Sequence, residues 1–242
     1  MATFVSKLKR SSNQLLQTLM FAGVLGAGGM AQADVLNFEN LTLDSPFLYD
    51  SMEFISGKFF VDTYTGSGDG FAATLFDGSA SDQCFLQCPV NNPTNYLGVM
   101  DDSYIYFGLT SGLNMRVTSL AASFIGSGNP SYPARAGVLV MQGFTALGAL
   151  AGSAIQVSLA GPNSSGNFNF ANYNLGAFGN TDVNFVRILG YACDATTCSR
   201  ATGLSNFAID NINVTVIPEP ASIALFGLAA AGLIAARRRR AV

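Results

Sequence analysis

Apolar and polar positions alternate with a period near two over much of the chain. Ten runs either carry this alternation or are continuously apolar: 35–41, 58–64, 71–76, 103–109, 115–124, 137–144, 155–160, 168–173, 183–191 and 207–217. Gly, Asn, Pro, Ser and Asp bound them, the residues that turn a chain. Since no long segment keeps a 3.6-residue apolar period, the pattern predicts an all-β fold, an antiparallel β-sandwich, rather than alternating strands and helices. One short helical turn is expected over 145–151. The absence of a repeat of fixed period argues against a propeller or β-helix. The Gly-rich stretch 65–70 is followed by neither a lysine nor a helix signal, so it reads as a hairpin turn between the 58–64 and 71–76 runs rather than a phosphate cradle.

The last run carries a finer signal. Phe207 and Ile209 share one parity, while Ile212, Val214 and Val216 share the other. A strand of period two keeps both sets on one face only through a bulge, which the pattern places at Asp210-Asn211.

Both ends of the chain differ from this middle. Lys7, Lys9 and Arg10 precede an apolar run over 15–30 and the triplet Ala31-Gln32-Ala33, with small residues at the two positions signal peptidase reads. This is the layout of a secretory signal peptide over 1–33, with Ala31 and Ala33 as the cleavage residues. At the other end, Pro218-Glu219-Pro220 precedes an uncharged stretch over 221–236 and then Arg237, Arg238, Arg239 and Arg240. A helix of that stretch spans about 24 Å, short for a ~30 Å hydrocarbon core but extended by snorkelling arginines. The arginines hold their end in the cytoplasm, and the two prolines keep the preceding peptide extended. Between the ends lies one domain, 34–217, flanked by a signal helix and a transmembrane helix.

Charge changes the picture once the ends are set aside. The middle holds Lys58, Arg116, Arg135, Arg187 and Arg200 against fourteen Asp and Glu, a net charge of −9. Nucleic acid and anionic lipid are therefore poor partners, and divalent cations plausible ones. The chain has no His and no Trp. Without His there is no ordinary Ser-His-Asp or Cys-His nucleophile and no imidazole metal ligand. The four cysteines, Cys84, Cys88, Cys193 and Cys198, read as two disulfides in an exported domain, with all three connectivities open. Carboxylates for glycoside cleavage come down to Glu39, Glu53, Asp101 and Asp102, and the last two are expected in the turn before Ser103. Asp69, with Asp62 nearby, lacks the alternating acidic spacing of an EF-hand loop. Tyr96, Tyr104, Tyr106, Tyr132 and Tyr173 are the rings near predicted loops or strand ends that are available to stack on a sugar. Asn40, Asn163 and Asn213 fit the glycosylation pattern but read as turn and strand residues.

The order Pro218-Glu219-Pro220, apolar helix, arginine cluster closely resembles the PEP-CTERM sorting signal of Gram-negative bacteria. That resemblance implies export by signal peptidase, transient anchoring in the inner membrane and handling at the tripeptide by an exosortase. It implies a final place in the outer envelope or outside the cell, in company with exopolysaccharide. The ending Phe207-Ala208-Ile209-Asp210-Asn211-Ile212-Asn213-Val214, with the opening Val35-Leu36-Asn37-Phe38-Glu39-Asn40-Leu41, resembles the outer strands of jelly-roll carbohydrate-binding modules. This second likeness implies a jelly-roll-like sandwich and a structural calcium ion held by Glu39 and Asp210. The expected role is non-catalytic, binding or structural, with exopolysaccharide as the partner. A polysaccharide hydrolase and a self-associating matrix protein are the rival readings.

Overall fold

The computed structural model describes residues 31–39, 41, 45–66, 70–80, 84, 86–128, 131–200 and 203–218. The signal segment up to residue 30, the tail from Glu219 through Pro220 to Arg237, Arg238, Arg239 and Arg240, and Asn40 and Asp69 lie outside them. Among the described residues no helix is long and apolar enough to cross a membrane.

Two antiparallel sheets pack face to face. The strands are β1 (Gln32–Leu36), β2 (Phe47–Tyr49), β3 (Met52–Ser56), β4 (Phe59–Tyr64), β5 (Phe71–Asp77), β6 (Asn95–Val99), β7 (Tyr104–Leu109), β8 (Met115–Phe124), β9 (Arg135–Phe144), β10 (Leu150–Ala160), β11 (Ala171–Asn174), β12 (Phe185–Cys193), β13 (Cys198–Ser199) and β14 (Phe207–Val216). Sheet A runs β11-β8-β14-β6-β5-β2, with β1 also on β14. Sheet B runs β10-β9-β12-β7-β4-β3, with β13 on β12. Phe38, Phe59, Val61, Ile105, Phe107, Met115, Phe168, Phe207, Ile209, Ile212 and Val214 fill the space between the sheets. Each such side chain contributes about 1.5–3 kcal/mol through its burial.

β14 organises sheet A. One edge pairs with β8 along its length, whereas the other is shared: β6 takes Phe207–Ile209 and β1 takes Ile212–Val216. The register breaks between Asp210 and Asn213, with Asn211 at φ +47°. This is the bulge the parity switch predicts. It lets Phe207, Ile209, Ile212 and Val214 all reach the core.

Three local expectations change. Segment 145–151 is no helix: Gly148 N–H donates to the Thr145 carbonyl at 2.9 Å in a β-turn, and Thr145 N–H donates to the Ala149 carbonyl at 2.8 Å, closing the hairpin loop between β9 and β10. The 58–64 and 71–76 runs form no hairpin, because β4 lies in sheet B and β5 in sheet A. The run expected at 35–41 pairs as Gln32–Leu36, which puts the expected cleavage after Ala33 inside β1.

A smaller cluster, Phe76, Tyr96, Met100, Ile125 and Ala208, lies apart from the main core, with Cys84, Leu86 and Cys88 packed against it. Cys84 is joined to Cys88 and Cys193 to Cys198, with Cα–Cα distances of 6.0 Å and 3.9 Å.

Candidate functional site

Sheet B turns one face to the core and leaves the other half open. In β4, Phe59, Val61 and Thr63 are buried while Phe60, Asp62 and Tyr64 are half-buried. In β7 Ile105 and Phe107 go inward, and Tyr104 and Tyr106 outward. β12 leaves Phe185 and Arg187 half-open, and β9 leaves Phe144 so. Strand register aligns these residues into three rows across the sheet. The middle row reads Glu53, Asp62, Tyr106, Arg187, Gln142. One flanking row reads Tyr64, Tyr104, Leu189, Val140; the other reads Ile55, Phe60, Gly108, Phe185, Phe144.

The rings pack against one another and leave a groove. Tyr64 stacks on Tyr104 at 5.3 Å, and Tyr106 meets both edge-on at 5.6 and 5.9 Å. Phe144 stacks on Phe185 at 5.1 Å, and Tyr106 meets each edge-on at 6.0 and 5.8 Å. Mutual contact of this kind holds the rings in place without tying up every face. Between them lies a groove of about 390 Å³ lined by Phe60, Asp62, Tyr64, Tyr106, Phe144, Phe185 and the hairpin residue Gly148.

Its charges are unequally placed. Asp62 has its carboxyl raised above the usual range, by burial first and by facing Glu53 second. Burial also raises the Tyr64 phenol. Arg187 lies over the Phe144 ring at 5.7 Å, its Nε buried without a hydrogen-bond partner. Arg200 lies over Tyr104 at 5.6 Å and donates to the Asp102 carbonyl. The Gln142 amide donates to the Gly143 carbonyl at 2.9 Å.

Of the five tyrosines expected as candidate contacts, Tyr106 stands in this groove's wall and Tyr104 backs it, stacked on Tyr64. Tyr96 is buried, its phenol pushed up to about 12 by desolvation. Tyr132 packs on Phe124 and Phe168, and its hydroxyl accepts from Ser127 N–H at 2.6 Å. Tyr173 sits on the edge strand β11 of the other sheet. Phe60, Tyr64, Phe144 and Phe185 are groove residues that the sequence pattern does not single out, as is Arg187 beside them. Their odd-even placement in β4, β9 and β12 is visible in the sequence, but which parity faces outward is not. Two further cavities, of about 440 Å³ each, border the Cys84–Cys88 loop and the Cys193–Cys198 hairpin. Neither gathers exposed ring faces as the groove does.

The carboxylates separate by role. Asp101 and Asp102 lie in the turn before Ser103, at φ +50° and +59°. Asp102 is buried and accepts from Gly203 N–H at 2.7 Å and Ser205 N–H at 3.1 Å, so it pins a loop. Asp210, fully buried, accepts from Asn211 N–H at 2.7 Å, the Asn211 amide at 2.8 Å, the Asn92 amide at 2.9 Å and the Thr94 hydroxyl at 3.3 Å. Desolvation, with a smaller contribution from the Glu39 charge, pushes its carboxyl up to about 6 against these bonds. A hard cation wants several oxygen ligands. Asn92 and Thr94 instead turn donors toward Asp210, and Glu39, the other expected ligand, acts on Asp210 through its charge. Among the described residues no three acidic, Cys or His groups converge.

No curated protein matches the chain in sequence. Among solved structures, a DUF4465 family protein from Bacteroides caccae aligns at TM-score 0.54 and 14% identity, over 77% of this chain and all of that one. This likeness shows a shared fold. The CBM51 from Clostridium perfringens GH95, solved with methyl-galactose, aligns at TM-score 0.32 and 7% identity over 75% of this chain and all of its own. The CBM22-1 xylan-binding domain from Paenibacillus barcinonensis Xyn10C aligns at 0.32 and 10% over 79% of this chain and all of its own. Both scores are too low to support an inference. Residues 216–240 match the PEP-CTERM protein-sorting motif, and the chain carries that motif directly behind the closing strand of its sandwich.

Proposed function

We propose that this chain is an exosortase-sorted envelope or extracellular-matrix protein whose jelly-roll-like sandwich binds polysaccharide, without catalysis, in the aromatic groove of sheet B. The observation that carries the binding role is the groove: half-open rings on four adjacent strands, fixed by mutual packing, beside a few polar groups. Sugar rings offer flat apolar faces and outward hydroxyls, and sites for such ligands combine aromatic walls with a few placed polar groups. The sorting motif supports delivery: signal peptidase acts after Ala33, the stretch over 221–236 anchors the chain in the inner membrane, and exosortase acts at Pro218-Glu219-Pro220.

Two measurements test the two halves. For binding, the full-length chain is titrated with soluble β-linked oligosaccharides and with exopolysaccharide from its host. Tyr106→Ala, which removes the ring shared by both aromatic groups, is expected to weaken binding by at least about tenfold, as loss of one anchoring aromatic does. Equal affinity of the variant and the parent refutes the groove. For sorting, intact mass and cell fractionation are compared with and without the tripeptide. A product shortened at both ends and released from the inner membrane only with the tripeptide intact is the expected result. A full-length tail held in the membrane in both cases reduces the motif to a plain anchor.

A hydrolytic reading has one observation in its favour, the cross-strand pair Glu53 and Asp62 at the groove. It requires reducing ends to accumulate during long incubation and to stop with Glu53→Gln.

A further inference from the structure

We infer that the groove takes a glycan bearing protonated amino groups, with the ammonium seated between Asp62 and the faces of Tyr64 and Tyr106. This rests on the glycan-binding reading and specifies the sugar.

The first support is the charge of the wall. Asp62 is the only charged side chain among the groove's described lining residues. Directly opposite, on β3, stands Glu53, and like charges opposed across adjacent strands destabilise a sheet. Neither takes part in the ion pairs found among the described residues, Lys58 with Asp34 and Arg116 with Asp182. Asp50 adds a third negative charge within reach of Tyr64. The arrangement costs stability in the free protein and is relieved by a cation arriving from outside.

The second support is the kind of cation the walls accept. A hard metal ion needs a shell of oxygens, and the groove offers one carboxylate among rings. An organic ammonium suits such a site, because aromatic faces attract it and a carboxylate accepts its N–H groups. The two arginines of this face do not spoil the site. Arg200 is committed to Tyr104 and the Asp102 carbonyl, and Arg187 to Phe144, with Tyr106 standing between Arg187 and Asp62 in the row. The net charge of −9 on the domain favours the same ligand from a distance.

A series with one backbone and three substituents decides the question. β-1,4 oligosaccharides of glucosamine, N-acetylglucosamine and glucose differ only at C2, as ammonium, acetamide and hydroxyl. With the full-length chain, the glucosamine oligomer is expected to bind at least about tenfold more tightly than the other two and to weaken as salt is raised. Asp62→Asn should abolish the preference, bringing the glucosamine oligomer's affinity down to that of the glucose oligomer measured on the same variant. If all three bind alike, or the N-acetylated form binds best, the ammonium inference is overturned and the groove stands as a glycan site. Tighter binding of an oligogalacturonate, lost with Arg187→Gln, overturns it in favour of an anionic sugar at Arg187. Failure of every oligomer to bind removes the ammonium site along with the glycan reading.

Discussion

Replacing Asp210 with alanine is expected to cost the domain about 1–3 kcal/mol, the range for removing the acceptor from hydrogen-bonded donors at a buried centre. Four donors converge on this carboxylate from Asn92, Thr94 and Asn211. Alanine leaves the half-buried Asn92 amide without its acceptor, while Thr94 and Asn211 stand at the surface. The loss would spread, because Asp210 sits at the bulge where β14 changes partner from β6 to β1. In metal-free buffer the same residue gives stability an unusual pH dependence. Its carboxyl lies near 6 in the folded state against 3.8 in the unfolded one, so the folded state holds the proton more tightly. Between those values stability rises as pH falls, by about 3 kcal/mol in all, because a tenfold difference in proton affinity is worth about 1.36 kcal/mol. Asp50, Asp77 and Asp194 act in the opposite sense: local hydrogen bonds lower their pKa values, Asp194 to about 2, so their contribution fades as pH drops below the usual carboxylate range. The stability maximum should therefore fall at mildly acidic pH. Urea titrations in chelator from pH 4 to 8 measure it, and Asp210→Asn, similar in size but without charge, should flatten the slope between 4 and 6. A slope unchanged by Asp210→Asn places the titrating group elsewhere. Repeating the series with calcium tests the ion expected from the sequence at Glu39 and Asp210: a bound cation stabilises the charged form, raises the melting temperature and removes the slope. Indifference to calcium and chelator retires that site.

What is legible in the sequence follows from the range of the interactions involved. The bulge at Asp210-Asn211 can be read because side-chain parity is a local property of one strand. Segment 65–70 reads as a hairpin, wrongly, because Gly-rich turn chemistry is the same whether the next strand pairs with the last or crosses to the facing sheet. Only the distant partners of β4 and β5, β7 and β6, decide between these. β2 and β3 escape the pattern because Asp50-Ser51 breaks the run between them, and β6 because it is short, contains Gly98 and follows a Pro- and Asn-rich loop. The groove is half legible for the same reason. Tyr106 stands out as a tyrosine, with Tyr104 behind it, but Phe60, Phe144 and Phe185 look like core residues until the sheet's inner face is known.

Gly108 is where fold and groove meet, and its replacement by alanine is expected to damage both. The residue pairs with Phe60 on one side and Phe185 on the other, in the row that ends at Phe144. A Cβ there would lie 2.7 Å from Cε1 of Phe60, 2.8 Å from its Cζ and 2.8 Å from the Asn184 carbonyl oxygen. The Phe60 ring can swing aside, whereas the carbonyl belongs to the backbone of Asn184, whose N–H donates to the Phe144 carbonyl at 2.8 Å. Overpacking of this kind costs about 1–3 kcal/mol. For a domain of this size that lowers the melting temperature by about 2–4 °C per kcal/mol. Binding should weaken as well, because a displaced Phe60 either fills the groove or leaves its wall. The double variant Gly108→Ala, Phe60→Ala separates the two contacts. If the ring is the obstacle, the two changes together destabilise by less than the sum of their separate effects. If the carbonyl is the obstacle, the effects add, and the strand itself has shifted. A single Gly108→Ala variant with unchanged melting and unchanged affinity would show that Phe60 does not rest on this glycine.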